Sequence, residues 1–128
     1  MRLALDDAGL TPADIAHINA HGTSTPLNDA AEAQAMKEVF GSHRPPVTST
    51  KGVTGHALGA AGALEAAAVL MSMQKKLVPP TAGTTALDPE LDIDLVLGAP
   101  RAWAPGPAMS NNFGFGGHNG SVIIGPGA

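Results

Sequence analysis

The chain has 128 residues, 44% hydrophobic and 14% charged, with a formal net charge of -4. That length suits one domain or part of one, and the composition is too apolar for a disordered tail and too interrupted for a membrane protein. No Lys/Arg cluster offers a footprint for nucleic acid or an anionic membrane, and the lack of Cys excludes a disulfide framework, a thiolate metal site and a thiol nucleophile within these residues.

Residues 1–9 read as the end of an amphipathic helix, with Leu3, Ala4 and Ala8 apolar and Gly9 as its stop. The acids of this segment occupy the place where a signal peptide carries an apolar run, so the cytoplasm is the expected compartment. Thr11 to Asp14 predicts a cap and short turn, and Ile15 to Ala20 a buried strand ending at His21. After the polar turn Gly22 to Pro26, Asn28 or Asp29 caps a helix running to Phe40 and stopped by Gly41. Val47 to Thr50 is a second short strand, followed by Lys51, a glycine-containing turn and an Ala-rich helix from about His56 to Lys75. That last segment is short for a bilayer span and carries Glu65 near its middle, so a buried helix fits it better. Residues 79–91 predict a loop, Ile93 to Leu97 a strand, and Gly98 to Pro107 a turn. Ala108 to Asn112 and Ser121 to Gly125 close the chain as strands, and the segment between them is too glycine-rich for any regular element.

Strand, polar turn and helix occur twice in succession. The alternation predicts βαβ units in an α/β fold with parallel strands, whose functional groups gather at strand C-terminal ends. His21 and Lys51 both fall there. An aromatic content of 3% leaves the core to Ala, Val, Leu and Ile, which suits helices packed closely on a sheet.

Three segments carry chemistry: Asn19-Ala20-His21-Gly22-Thr23-Ser24-Thr25, Ser49-Thr50-Lys51-Gly52-Val53-Thr54-Gly55-His56, and the aromatic-glycine loop from Phe113 to Gly120. Together, and in this order, they resemble a β-ketoacyl-acyl carrier protein synthase. The likeness includes the Ala-Leu-Gly-Ala-Ala-Gly helix start and the Pro79-Pro80-Thr81 turn. It implies a thiolase-like αβαβα fold of two similar halves, residues 1–128 forming the C-terminal half with a mixed five-stranded sheet and helices. The implied reaction is a decarboxylative Claisen condensation in fatty acid chain elongation, with the nucleophilic Cys in the other half. The implied partners are an acyl carrier protein, the N-terminal half and, at full length, a second copy. No resident cofactor is implied, because phosphopantetheine arrives on the carrier.

The resemblance makes His21, His56 and Lys51 the catalytic residues. Two imidazoles offering N–H groups suit the negative charge that builds on a thioester oxygen. A helix start at His56 would further disfavour its charged form, while His17, His43 and His118 read as structural or surface residues. The resemblance assigns Thr23 and Thr25 to the phosphopantetheine arm, with helix capping the equal alternative. Phe113, Gly114 and Phe115 become substrate-binding, Phe115 as a gate; a tight hairpin with a core Phe is the other reading. A buried Glu65 needs a cation or donors, and Lys51 is the better partner because His56 would lie on the opposite helix face. Asn19, Glu32, Glu65, Ser110 and Asn111 match the positions of a structural monovalent cation in relatives, an ordinary hydrogen-bond network being the alternative. Relatives often carry Ser where Gly52 and Asn112 stand here. A thiolase is disfavoured by the missing C-terminal Cys; a polyketide ketosynthase or a non-catalytic chain-length-factor-like subunit are the other readings. The missing Cys also predicts that the isolated chain is inactive.

Overall fold

The computed structural model describes residues 1–127. Helix α1 (Arg2–Ala8) ends at Gly9 in the left-handed region, and a short 3-10 turn follows at Pro12–Asp14. Thr11 and Asp14 cap this turn reciprocally, the Thr11 N–H donating to the Asp14 carboxylate at 2.7 Å. Strand β1 (His17–Asn19) leads through the predicted polar turn into α2 (Pro26–Phe40). The cap of α2 is Thr25, not Asn28 or Asp29: its hydroxyl accepts from the Asn28 N–H at 3.4 Å. Pro26 can begin the helix because the first position needs no N–H donor.

Strand β2 (Pro46–Thr48) runs into α3 (Lys51–Thr54), a single turn of helix where the sequence predicted an open turn. The long helix is α4 (Ala61–Lys75), preceded by a 3-10 turn at Leu58–Ala60. It therefore begins five residues after His56, because Gly55 at φ 68° and Leu58 at φ 51° interrupt the helical path. His56 is a loop residue, and the helix-start argument for its protonation state falls away.

The remaining strands are β3 (Leu77–Val78), β4 (Asp94–Leu95), β5 (Arg101–Ala102), β6 (Ala108–Phe113) and β7 (Asn119–Ile124). Five of them form one sheet in the order β4-β2-β1-β6-β7, parallel except for the last pair. This is the mixed five-stranded sheet that the resemblance implied. A separate ribbon pairs β3 with β5, inside segments without a strand signal; two residues are too few to show a period. The β6–β7 hairpin is also more regular than the glycines suggested, with Phe113 paired to Asn119 and a 3-10 turn at Phe115–Gly117.

The sheet separates two apolar clusters. On one face Ile15, Ile18, Val47 and Met109 pack with Leu5 of α1 and with Met36 and Phe40 of α2. On the other, Ala108, Val78, Val96 and Trp103 pack with Val69 and Met73 of α4. Side chains along β6 thus alternate between the two helices, as the pleat requires. The outer side of α4 leaves Leu64, Leu70 and Met71 exposed. No helix among the described residues is long and apolar enough to cross a membrane.

Candidate active site

Three parallel strands end side by side, and their register decides what meets. Asn19 of β1 is level with Thr48 of β2 and with Ser110 of β6. Two or three residues further on, the three chains deliver His21, Lys51 and Phe113 to one edge of the sheet. The His21 ring lies 5.7 Å from the Phe113 ring, and the His56 ring lies 5.3 Å from His21, nearly perpendicular at 86°. The two imidazoles from separate motifs are therefore neighbours.

His21 is buried and its Nδ1 has no hydrogen-bond partner among the described residues. Burial first, then the Lys51 ammonium and the His56 ring, hold its pKa below the ordinary value, against opposing effects of Glu65 and Asn112. At His56, Nδ1 accepts from the Leu58 N–H at 3.2 Å, which assigns the ring proton to Nε2. His56 is exposed, so that N–H is accessible.

The turn carrying His21 is held from α2. Glu32, 3% exposed, accepts from the backbone N–H groups of His21 at 2.9 Å and Gly22 at 3.0 Å. Burial pushes the Glu32 carboxyl up, while these N–H groups and Asn111 favour its charged form. Asn111 donates to Glu32 at 3.3 Å and accepts from the Ser121 hydroxyl at 2.8 Å, tying the turn to the hairpin. Only glycine fits at position 22, where φ is +43° and an added Cβ would lie 2.6 Å from Cβ of Ser49.

Lys51 and Glu65 form the expected buried ion pair between Nζ and Oε1, with side chains 5% and 1% exposed. Glu65 Oε2 accepts from the Asn112 amide at 2.6 Å. Asn112 had no assigned role in the sequence, where a polar residue in a strand next to an aromatic carries no signal of a partner 47 positions away.

Other residues fall where the alternatives diverge. Thr25 caps α2, and the Thr23 and Thr25 hydroxyls lie 3.1 Å apart. Phe115 is fully exposed beside Gly114, so it is not the core Phe of the hairpin reading. His17 is buried against Trp103, His43 Nε2 meets the Ile15 carbonyl at 2.8 Å, and His118 is exposed. Among the five oxygen-bearing residues, Asn19 of β1 is level with Ser110 of β6. Glu32 and Asn111 bond to one another, whereas Glu65 bonds to Lys51 and Asn112. Asn19 Oδ1 and Ser110 Oγ are buried without partners among the described residues.

A family model described as "Beta-ketoacyl synthase, C-terminal domain" matches residues 1–85. The chain belongs to the β-ketoacyl synthase family. It is 50% identical over 118 residues to a 3-oxoacyl-[acyl-carrier-protein] synthase 2 of Synechocystis, covering 91% of this chain and 28% of that relative. A synthase of the same name from Staphylococcus aureus is 44% identical over 126 residues, covering 97% of this chain and 30% of the relative. A β-ketoacyl synthase crystal structure from Burkholderia phymatum superposes with a TM-score of 0.94 at 45% identity, covering all of this chain and 31% of that one. A structure titled the ishigamide ketosynthase/chain length factor also gives 0.94, at 35% identity, covering 99% of this chain and 32% of that one. The fold is thus that of part of a thiolase-like ketosynthase, and this member spans less than a third of the relatives' length.

Gly52 is fixed by a local contact. A Cβ on Gly52 would lie 2.0 Å from the Ala82 carbonyl oxygen, so the loop after Pro80 presses on the backbone of α3. That loop cannot easily yield, since Thr81 donates its N–H to Val96 at 2.8 Å and its hydroxyl meets Ser49 and Thr48. Gly52→Ser is expected to cost about 1–3 kcal/mol through overpacking. A lowered thermal midpoint checks this; an unchanged one would show that the loop moves freely.

Proposed function

We propose that this chain supplies the His21, His56 and Lys51 part of a condensing site that elongates a fatty acyl chain by decarboxylative Claisen condensation. The observation that carries the reading is the pair of imidazole rings 5.3 Å apart, the His56 ring bearing its proton on Nε2. Malonyl thioester loses its carboxylate as carbon dioxide, and the electron pair of the broken C–C bond passes into an enolate. N–H groups of His21 and His56 donate to the enolate oxygen, where preorganised donors lower the barrier. The enolate carbon then forms a bond to the acyl carbon of a Cys thioester and expels the thiolate, which belongs to the N-terminal half. Lys51 fixes positive charge beside the pair and helps to keep His21 neutral.

Thr23 and Thr25 bind the phosphopantetheine arm of the acyl carrier protein in this reading. Phe113, Gly114 and Phe115 line the acyl entrance, where the exposed Phe115 gates access among glycines. Acyl carrier protein is the partner, as in a solved complex of a type II polyketide synthase carrier protein with its ketosynthase, 33% identical at a TM-score of 0.93. In this reading the N-terminal half packs on the apolar outer side of α4, where Leu64, Leu70 and Met71 are exposed, and the full-length enzyme is a cytoplasmic homodimer. For a structural cation, the unpartnered oxygens of Asn19 and Ser110 fit a hard ion, which would supply fixed positive charge two residues before His21. Glu32 and Glu65 already have donors. The same residues serve polyketide condensation, which neighbours at 33–38% identity support; relatives in the fatty acid series reach 50%. Both imidazoles speak against a non-catalytic chain-length factor.

The test is co-expression with a Cys-containing N-terminal half, followed by malonyl-thioester decarboxylation. His21→Ala and His56→Ala are each expected to lower turnover by about 10²–10³-fold, the usual effect of removing one oxyanion donor. The chain without its complement is expected to be inactive. Unchanged turnover in both variants defeats the assignment.

A further inference from the structure

Asn112 occupies a junction that the catalytic assignment above does not use. Its Nδ2 donates to Glu65 Oε2 at 2.6 Å while Lys51 holds Oε1 of the same carboxylate. The amide also lies over the first turn of α4: a Cβ on Gly62 would be 3.5 Å from Nδ2. Its neighbours in β6 are Asn111, bonded to the carboxylate that holds the His21 turn, and Phe113, which packs on the His21 ring. The Asn112 side chain approaches His21 closely enough to favour its charged form, without closing a hydrogen bond to the buried Nδ1.

We infer that Asn112 is a positioning residue: by holding one oxygen of Glu65 it fixes the carboxylate's rotation and, through the other oxygen, the place of the Lys51 ammonium beside the histidine pair. A carboxylate with one free buried oxygen would turn to satisfy it, and Lys51 would follow, because a buried acceptor left without a donor is costly. In this chain the gap to Glu65 is spanned by an amide. A serine hydroxyl is one bond too short to span the same gap, and an aspartate would set two carboxylate oxygens against each other. Glutamine carries the amide one bond too far, into the turn around Gly62.

This inference rests on the proposed condensing role, and the experiment separates the two. In the chain complemented with a Cys-containing half, Asn112→Ser and Asn112→Asp are expected to lower kcat for malonyl-thioester decarboxylation about tenfold, with KM unchanged within about twofold. Asn112 touches no substrate in this account, so a raised KM with intact kcat would overturn it, as would unchanged kcat in both variants. In the 128-residue chain itself, NMR is expected to show one Asn112 side-chain amide proton shifted downfield and protected from solvent exchange, with the shift reduced in Glu65→Gln. An amide exchanging as fast as an exposed one overturns the positioning role whatever the reaction proves to be. If His21→Ala and His56→Ala leave turnover intact while the amide is protected, the condensing reading fails and the junction stands.

Discussion

Replacing Lys51 with Met is expected to lower the stability of the fold by about 3–5 kcal/mol, the usual cost of stranding one partner of a buried ion pair. Glu65 is 1% exposed and would keep only the Asn112 amide to offset its charge. The loss arises from desolvation and not from the attraction removed, which makes a second result predictable. In the double variant Lys51→Met, Glu65→Leu no charge is left buried, and most of the stability is expected to return. The exposed pair between Arg44 and Asp92 is the internal control. Its side chains are 36% and 54% exposed, and Arg44→Ala is expected to change stability by less than about 1 kcal/mol. Urea unfolding midpoints at constant slope measure all three. A Lys51→Met loss no larger than that of Arg44→Ala would mean that water reaches Glu65.

His17 is expected to make the fold acid-sensitive. The ring is 1% exposed, both nitrogens lack partners among the described residues, and its one aromatic neighbour is Trp103, edge-on at 5.4 Å. Burial holds its pKa down to about 4, against 6.5 for a free imidazole. Between those values the unfolded chain binds the proton and the folded chain does not, so stability is full above pH 6.5 and falls as the pH drops toward 4. The loss over that interval is about 3 kcal/mol from this residue. His17→Leu is expected to remove that share of the acid slope, read as unfolding midpoints between pH 7 and pH 4. An equal slope in the two proteins would assign the acid response to other groups. Because His17 lies in β1 two residues from Asn19, a fold weakened there would also loosen the strand that presents His21.

Gly52 and Asn112 show how sequence and contact divide the explanation. Neither position carries a local signal, yet one is compelled by the Ala82 carbonyl and the other by the Glu65 carboxylate. The Lys51–Glu65 pair was legible in outcome and not in reason. A carboxylate in an apolar helix needs a cation or donors, but the preference for Lys51 over His56 rests on a helix-face argument that His56, a loop residue, does not obey. His56 was legible as a site residue and misplaced as a helical one, since Ala-rich sequence does not reveal a chain break made by backbone angles at Gly55 and Leu58.

The sequence by itself determined the α/β alternation, the helix ending at Phe40, the apolar helix through Glu65 and the place of His21 after a buried strand. Those follow from hydrophobic period, caps and glycine stops, which act over a few residues. Only the tertiary structure decided the strand order β4-β2-β1-β6-β7, the β3–β5 ribbon, the approach of His56 to His21 and the hold of Asn112 on Glu65. Each depends on segments far apart in the chain meeting in one register, and the free energy of such meetings lies in packing and desolvation that no local pattern encodes.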